Sequence, residues 1–177
     1  MALTTSGIAY FKLDGDVTDS INNYDAVNQG GTLAAGKIGS GYSFVTNDYL
    51  DIGSVRSAMA SDTKGTWAMW VKPDDATPAS DEVLITFGDT DADNRIQFNI
   101  SSTTGKVRAL ARNTTEKWKL DTDNQAFSDG VWSHIALVQD GTSPVIYVNG
   151  SLVPQSFVSQ SDKTVWMSDM AGLDNGS

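Results

Sequence analysis

The sequence predicts an all-β protein, folded as a two-sheet antiparallel β-sandwich of the jelly-roll type. Short apolar or alternating segments recur about every 8 to 12 residues, separated by Gly, Pro, Asp and Asn, which is typical of a sandwich. Only Glu82 and Glu116 among the acidic residues are glutamates, and aspartate favours turns where glutamate favours helices. Helical spacing is confined to residues 54–64. The length predicts one domain over residues 1–177.

The clearest strand pattern lies between residues 127 and 150. Residues 131–138 alternate with both faces largely apolar, and a polar turn over 139–144 follows. Residues 145–148 are β-branched or aromatic, and Asn149-Gly150 is a strong hairpin signal. This region therefore predicts a meander of three strands.

The remaining elements are assigned by the same criteria. Residues 54–64 are predicted to contain a helical turn, and residues 157–162 are predicted to be irregular. Further strands are predicted over 7–13, 27–34, 36–44, 48–52, 66–72, 83–87, 95–100, 106–113, from 118 to 120, and over 163–167.

Four motifs in order carry a resemblance to a known family. They are AYFKLDG (9–15) with Asp19-Ser20, GSGYSF (39–44) with YLDI (49–52), GTWAMWVKP (65–73), and a Trp-x-His strand with the YVNG hairpin (132–150). Over residues 8 to 173 the chain resembles the laminin-G-like, concanavalin A-like lectin/glucanase superfamily. The resemblance implies the β-sandwich, while the function stays open because this fold hosts lectins, enzymes and spacers.

The resemblance also implies a closing strand after a glycine such as Gly172, lying beside the first strand. Here the chain ends at residues 173–177. We therefore expect that the last strand is missing or is supplied by another molecule. An open sheet edge would then accept a partner strand, from a second copy or an assembly partner.

Charge and composition exclude several classes of partner. The net charge is −10 and the isoelectric point is near 4.3, which argues against nucleic acid and anionic membranes. No apolar stretch is long enough for membrane insertion, and no cysteine is present. Because the first residues lack the features of a signal peptide, we expect a virion or extracellular surface location reached without one, for example on a phage particle released by lysis.

Catalytic groups are scarce. Glycoside hydrolases of this fold carry a Glu-x-Asp-x-x-Glu pattern, whereas Glu82 and Glu116 lie 34 residues apart and neither occurs in such a motif. The single histidine, His134, is predicted to be a structural residue of its strand. We therefore expect no enzymatic activity.

Calcium is the one cofactor that the sequence favours. One loop has the D-x-D-x-D spacing of alternating oxygen ligands, but it lacks the bidentate glutamate of an EF-hand. The resemblance supports calcium, because many laminin-G-like domains hold it at loop ends. The alternative is that these aspartates only form turns. The candidate ligands are Asp89, Asp91 and Asp93, then Asp14, Asp16 and Asp19, with a third acidic loop at Asp121 and Asp123.

Glycan binding requires exposed aromatic side chains with nearby hydrogen-bonding groups. Trp118 and Trp166 lie in polar surroundings and are predicted to be exposed platforms, accompanied by Asn94, with Tyr24 and Tyr49 as weaker candidates. The alternative is that the two tryptophans pack against a strand edge. Trp67 and Trp70 lie three residues apart, and hence on opposite faces of their strand. Both are predicted to be core residues, together with Phe11, Leu13, Phe44, Met69, Val71, Ile85, Phe87, Ile96, Phe98, Leu110, Trp132, Ile135, Leu137, Ile146 and Val148.

Three functions compete on this basis. The first is a non-catalytic module that binds a glycan or a surface protein. The second is a structural decoration or fibre component of a virion or cell surface. The third, a hydrolase, lacks its carboxylate motif. Exposure of Trp118 and Trp166 would favour the first, and their burial would favour the second.

Overall fold

The computed structural model describes residues 7–89, 93–170 and 172–177. A 3-10 turn (Gly53–Val55) leads into the short helix α1 (Arg56–Met59), and a second 3-10 turn spans Met167–Asp169. The strands are β1 (Val27–Gln29), β2 (Thr32–Ala35), β3 (Ser40–Ser43), β4 (Tyr49–Asp51), β5 (Gly65–Val71), β6 (Glu82–Gly88), β7 (Asn94–Ile100), β8 (Val107–Asn113), β9 (Thr115–Thr122), β10 (Ser133–Gln139), β11 (Pro144–Val148), β12 (Ser151–Leu152), β13 (Gln155–Gln160) and β14 (Asn175–Gly176).

The predicted meander forms most of a four-stranded antiparallel sheet in the order β12-β11-β10-β5. Ile135 lies opposite Val148 on one side and Met69 on the other. Asn149 and Gly150 both have positive φ, 51° and 78°, as a tight two-residue hairpin turn requires. The Asn-Gly signal therefore locates the β11–β12 turn correctly.

The second layer is a six-stranded antiparallel sheet in the order β13-β9-β8-β7-β6-β14. Two small sheets, β1-β4 and β2-β3, accompany the two layers. Alternate residues of β7, namely Ile96, Phe98 and Ile100, are completely or almost completely buried, because a strand directs successive side chains to opposite faces. The prediction of an antiparallel two-sheet sandwich is confirmed.

The core contains the apolar side chains that the sheets direct towards each other. Trp67 packs against Phe87 with ring centroids 5.4 Å apart. Phe44, a predicted core residue, is instead 42% exposed, and its ring lies over Gly31, where a β-carbon would come within 2.6 Å of it. Leu13 and Trp132 are half-buried. The completely or almost completely buried large apolar side chains are Trp118, Trp166, Phe87, Phe98, Ile96, Ile100, Leu120, Ile135, Leu137, Ile146 and Met167.

Two predicted strands are absent for the same physical reason. Residues 7–13 form only one bridge, Phe11 with Asp19, since the carboxylate of Asp19 accepts the Tyr10 N–H. Residues 163–167 form no strand, because the Thr164 and Trp166 N–H groups donate to the carboxylates of Asp162 and Asp169. A backbone N–H bound by a local carboxylate is not available to a strand ladder. By contrast, residues 157–162, which were predicted to be irregular, lie largely in β13.

A closing strand is present in this chain. In β14, Asn175 pairs with Gly88 and Gly176 with Phe87, and the Ser177 N–H donates to the Thr86 carbonyl at 2.9 Å. The expectation that the last strand is missing is corrected: a short one exists, and it lies beside β6 rather than beside residues 8–13. Among the helices of the described residues, none has the length and apolar character to cross a membrane.

Candidate functional site

The two tryptophans predicted as exposed platforms are buried, so this prediction is wrong. Trp118 is 0% exposed and its indole N–H donates to the Val165 carbonyl at 3.0 Å. Trp166 is 1% exposed, with its ring centroid 5.0 Å from that of Trp67. Both side chains therefore serve the core and offer no surface to a ligand.

The other two predicted glycan residues also have structural roles. Tyr24 is half-buried and packs against the core. Asn94 begins β7, and its side-chain oxygen accepts the Thr114 N–H at 2.9 Å. The four predicted residues therefore do not form one exposed platform.

The first acidic loop uses its carboxylates to bind its own backbone and a neighbouring hairpin. Asp14 accepts the Ser40 N–H at 2.8 Å. Asp16 accepts both the N–H and the hydroxyl of Thr18, at 3.0 and 2.7 Å. One oxygen of each carboxylate is therefore engaged with donors, and in the described residues Asp14, Asp16 and Asp19 do not converge as metal ligands.

Asp19 is buried and organises the turn around it. Its two oxygens accept four backbone N–H groups, at 2.9 to 3.4 Å. Burial raises the pKa of Asp19, but these hydrogen bonds outweigh burial, and the pKa lies below its ordinary value. The four donors belong to Tyr10, Ile21, Asn22 and Tyr24.

The second acidic loop is only partly described, because Asp91 lies outside the described residues. The Asp89 N–H donates to the Asn94 carbonyl at 2.9 Å and closes the loop. An oxygen of Asp93 lies 3.8 Å from the Arg112 guanidinium. Within residues 7–89, 93–170 and 172–177, no three acidic, histidine or cysteine side chains converge as metal ligands. Calcium at Asp89, Asp91 and Asp93 therefore stays a prediction.

In the third acidic region, Asp121 forms an ion pair with Arg108. Arg108 donates from Nε and Nη2 to the two oxygens of Asp121, both at 2.8 Å. The side-chain hydrogen bonds that Arg108 donates to Asp121 raise the pKa of Arg108, so the guanidinium stays charged. Both carboxylate oxygens of Asp121 therefore bind Arg108 on the outer side of the β8–β9 pair.

The two glutamates do not form a catalytic pair. Glu82 lies on β6 and Glu116 on β9, with β7 and β8 between them. Three strand spacings alone place them at least roughly 14 Å apart, which is more than the roughly 5 to 10 Å between the paired carboxylates of glycoside hydrolases. Glu116 is also occupied by Lys119, whose ammonium lies 2.6 Å away.

An exposed aromatic cluster lies on the outer side of the four-stranded sheet. Trp70 of β5 is 47% exposed and lies opposite His134 of β10, with ring centroids 5.3 Å apart at 65°. Just beyond the paired ends of β5 and β10, the ammonium of Lys72 lies 5.6 Å from the ring of Trp132. Since alternate residues share a face, these four side chains form a two-by-two block.

The β2–β3 hairpin borders this block. From its turn, Lys37 holds its ammonium 5.1 Å from the ring centroid of Trp70. A β-carbon at Gly41 of β3 would lie 4.0 Å from Trp132, an ordinary van der Waals distance, so this strand passes directly beside the indole. We call the surface of Trp70, Lys72, Trp132, His134 and Lys37 the aromatic face.

Small residues lie next to the aromatic face. Ala68 and Ala136 are paired across β5 and β10, and Tyr147 of β11 is the next residue across the sheet. Asn149 fixes the end of β10, because its side chain accepts the His134 N–H at 2.9 Å and its own N–H donates to the His134 carbonyl at 2.7 Å. Because the side chains of Ala68 and Ala136 are small, the sheet surface between the larger neighbouring side chains is low and flat, and it forms a floor beside the aromatic face.

The two lysines of the aromatic face are not in ion pairs. In the described part of the chain, the cations that pair with carboxylates are Arg108, Arg112 and Lys119. The aromatic face is therefore locally cationic on a chain whose net charge is −10.

A second, smaller candidate is a surface hollow of about 290 Å³ lined by Tyr49, Asp51, Asn175, Gly176 and Ser177. Tyr49 is 47% exposed, but Asp51 already accepts the Gly53 N–H at 2.9 Å. The hollow provides one aromatic ring, whereas the aromatic face provides two indoles and three nitrogen-bearing side chains. We therefore favour the aromatic face.

Sequence reasoning assigned Trp70 and Trp132 to the core and His134 to a structural role, and it did not single out Lys37 or Lys72. The core prediction for Trp70 is wrong, because its side chain is 47% exposed. A signal was available for Trp70: with Trp67 directed inwards, the residue three positions along the same strand must point outwards. No comparable signal exists for Lys37, which reaches Trp70 only through the folding of the β2–β3 hairpin.

Comparisons with known proteins agree with this architecture. Domain 4 of AbnA, a GH43 extracellular arabinanase from Geobacillus stearothermophilus, in complex with arabinotriose, is 18% identical with a TM-score of 0.66, covering 96% of this chain and 80% of that one. The CBM40 of the Ruminococcus gnavus IT-sialidase, bound to α2,3-sialyllactose, is 20% identical with a TM-score of 0.57, covering 85% and 77%. At these identities the likeness concerns the fold alone.

No curated protein sequence matches the chain significantly. A laminin-G-type family model, described as the concanavalin A-like lectin/glucanases superfamily, matches residues 44–175. This match covers most of the chain and includes β4 to β13. The chain therefore belongs to the concanavalin A-like lectin/glucanase superfamily.

Proposed function

We propose that the protein is a non-catalytic glycan-binding module and that the aromatic face is its binding surface. The observation that carries this proposal is the exposure of Trp70 beside His134, on the solvent side of a sheet whose other side forms the core. Sugar rings present apolar C–H faces that stack on indoles, and hydroxyls that take hydrogen bonds from polar side chains. The aromatic face contains both kinds of group.

Its dimensions suit a short saccharide. Residues two apart on a strand are roughly 7 Å apart, and neighbouring strands are roughly 5 Å apart. The block of Trp70, Lys72, Trp132 and His134 thus matches one or two sugar rings, and the floor at Ala68 and Ala136 extends it along the strands. A site this shallow is expected to bind weakly, in the micromolar to millimolar range.

The structural likeness supports a glycan as ligand. The arabinanase domain was solved with arabinotriose and the sialidase module with sialyllactose, so two domains of this fold carry bound saccharides. For this chain we infer a glycan of unspecified backbone, displayed on a cell or another surface, and an adhesive role for the module outside the cell or on a virion.

The proposal is tested with a glycan screen followed by titration of a hit. Trp70→Ala should weaken binding about five- to thirtyfold, since removal of one stacking platform costs on the order of 1 to 2 kcal/mol. Tyr49→Ala is the matched control, because it removes an exposed ring from the hollow instead. Weakening by Tyr49→Ala and not by Trp70→Ala would move the site to the hollow, and binding unaffected by either would refute both locations.

The structural alternative remains a candidate because Trp118 and Trp166 are buried, which removes the aromatic platforms first expected. In that case the sandwich would serve as a decoration or fibre component. The solution mass distinguishes the two: a monomer that binds glycan supports the recognition module, whereas an oligomer that buries Trp70 in its interface and binds no glycan supports the structural component.

A further inference from the structure

We propose that the aromatic face selects acidic glycans, whose anionic group is neutralised by the ammonium groups of Lys37 and Lys72. This inference rests on the proposed glycan-binding function and specifies its ligand class. Selection of an acidic ligand would come from the placement of charge on the surface, because the tryptophans alone would stack on sugars of any charge.

The local charge opposes that of the whole chain. Acidic residues number 22 and basic residues 12, so an average surface patch of this protein repels anions. On the aromatic face, however, two lysines reach the same block of side chains from different elements, the β2–β3 turn and the end of β5. Their convergence gives an acidic ligand a place where its charge is favourable.

Neither ammonium group has a carboxylate partner in the described residues, whose ion pairs involve other cations. Lys72 is followed closely by Asp74 and Asp75, but in the described residues neither carboxylate lies within ion-pair distance of its ammonium. Asp14 lies beside the turn of the hairpin, where it accepts the Ser40 N–H, and in the described residues it forms no ion pair with Lys37. The positive charge of both lysines is therefore available to a ligand.

The lysines are also held in position. Each ammonium lies over an indole ring, at 5.1 Å for Lys37 and 5.6 Å for Lys72. A cation–π contact restricts a side chain that would otherwise sample many rotamers, so less conformational entropy is lost when an anion binds. An ammonium over a ring still has N–H donors directed away from the ring, towards the ligand side.

The anionic group of a sugar can be a carboxylate or a sulfate, and both satisfy this chemistry. The experiment therefore titrates three probes into the whole chain: an oligogalacturonate, the same oligomer as its methyl ester, and a sulfated oligosaccharide of similar length. The ester is the neutral control, since it retains the backbone and loses the charge. Titrations at low and high salt separate the electrostatic contribution.

We expect at least one acidic probe to bind about tenfold more tightly than the neutral ester, and only the acidic probe to weaken with salt. Lys37→Gln and Lys72→Gln should each weaken the acidic probe by about tenfold and the neutral ester by clearly less, because glutamine keeps N–H donors and loses only the charge. Lys163→Gln is the matched control, because Lys163 also lies over a ring, that of Phe157 at 5.2 Å, but away from this face. It should change neither affinity.

Equal affinity for acidic and neutral probes, with no effect of the two lysine variants, would overturn the acidic specificity. If Trp70→Ala still weakened that binding, the glycan-binding function would stand without it. If Lys163→Gln weakened the binding of the acidic probe as much as Lys37→Gln does, the effect would depend only on the overall charge of the protein. That result would also overturn the proposal. Failure of all three probes to bind would refute the acidic ligand class, and a negative glycan screen would refute the function itself.

Discussion

Trp67 and Trp70 lie on the same strand, three residues apart, and their indoles are on opposite sides of the sheet. Trp67 is 7% exposed and packs against Phe87 and Trp166. Trp70 is 47% exposed and contacts His134 and Lys37. One strand thus supplies both a central core residue and the principal candidate for ligand stacking.

This pair gives a prediction that separates stability from binding. Trp67→Ala should lower the free energy of unfolding by about 3 to 5 kcal/mol, because it leaves a cavity in the core. Trp70→Ala should cost about 1 kcal/mol, for the lost contacts on the sheet surface, while it weakens glycan binding. Denaturant unfolding and titration of the same two variants measure both effects, and equal losses of stability would contradict the assignment of opposite faces.

Much of the fold could be predicted from the sequence, because in its central part local pattern and tertiary structure agree. The alternation in β10, the β-branched run in β11 and the Asn-Gly turn each specify one geometry, and the structure has it. Prediction failed at residues 7–13 and 163–167, where carboxylates bind backbone N–H groups that an apolar pattern assigns to a ladder.

The candidate site was harder to predict because polar neighbours were taken as evidence of exposure. Trp118 is flanked by charged residues, yet in β9 these neighbours point outwards while Trp118 and Leu120 point into the core. Trp166 is also buried, although it lies in a segment that does not form a strand. The period of the strand carried more information than the composition around each tryptophan.

Asp19 predicts how stability responds to acid. Because its folded-state pKa lies below its ordinary value, the ionised carboxylate stabilises the fold above that value, and this contribution is lost as the pH falls through the folded-state pKa. Asp19→Asn should therefore lower the free energy of unfolding by about 1 to 3 kcal/mol at pH 7, and the difference from the native protein should shrink towards pH 3.

Urea unfolding at a series of pH values measures this difference. Asp16→Asn is the control in the same loop, since Asp16 is exposed and bonds only Thr18, and it should have little effect at any pH. A destabilisation by Asp19→Asn that stays constant down to pH 3 would contradict the role of the charge.

The calcium prediction for Asp89, Asp91 and Asp93 is tested by thermal unfolding with calcium and with a chelator. A ligand that binds only the folded state stabilises it by about 2.7 kcal/mol at one hundred times its dissociation constant, which raises the melting temperature by roughly 5 to 10 °C for a chain of this size. Asp89→Ala should abolish that rise, while Asp16→Ala should retain it. Equal melting temperatures with and without calcium would remove this loop as a calcium site.

Gly176 determines whether the closing strand can pair with β6. A β-carbon at this position would lie 2.5 Å from the ring of Phe87, which is 1% exposed and packed against Trp67. Gly176→Ala should therefore displace β14 and lower the free energy of unfolding by about 1 to 3 kcal/mol, as overpacking does. Asn175→Ala, at the exposed neighbouring position, should be almost neutral.

The same variant tests whether β14 protects a sheet edge. Without β14 the outer N–H and C=O groups of β6 from Thr86 to Gly88 lose their partners, and an unpaired edge associates with other strands. We expect Gly176→Ala to increase self-association, measured as solution mass over a range of concentrations, whereas Asn175→Ala should retain the mass of the native protein. If Gly176→Ala were as stable as the native protein and showed the same mass, the pairing of β14 with β6 would not contribute to the fold.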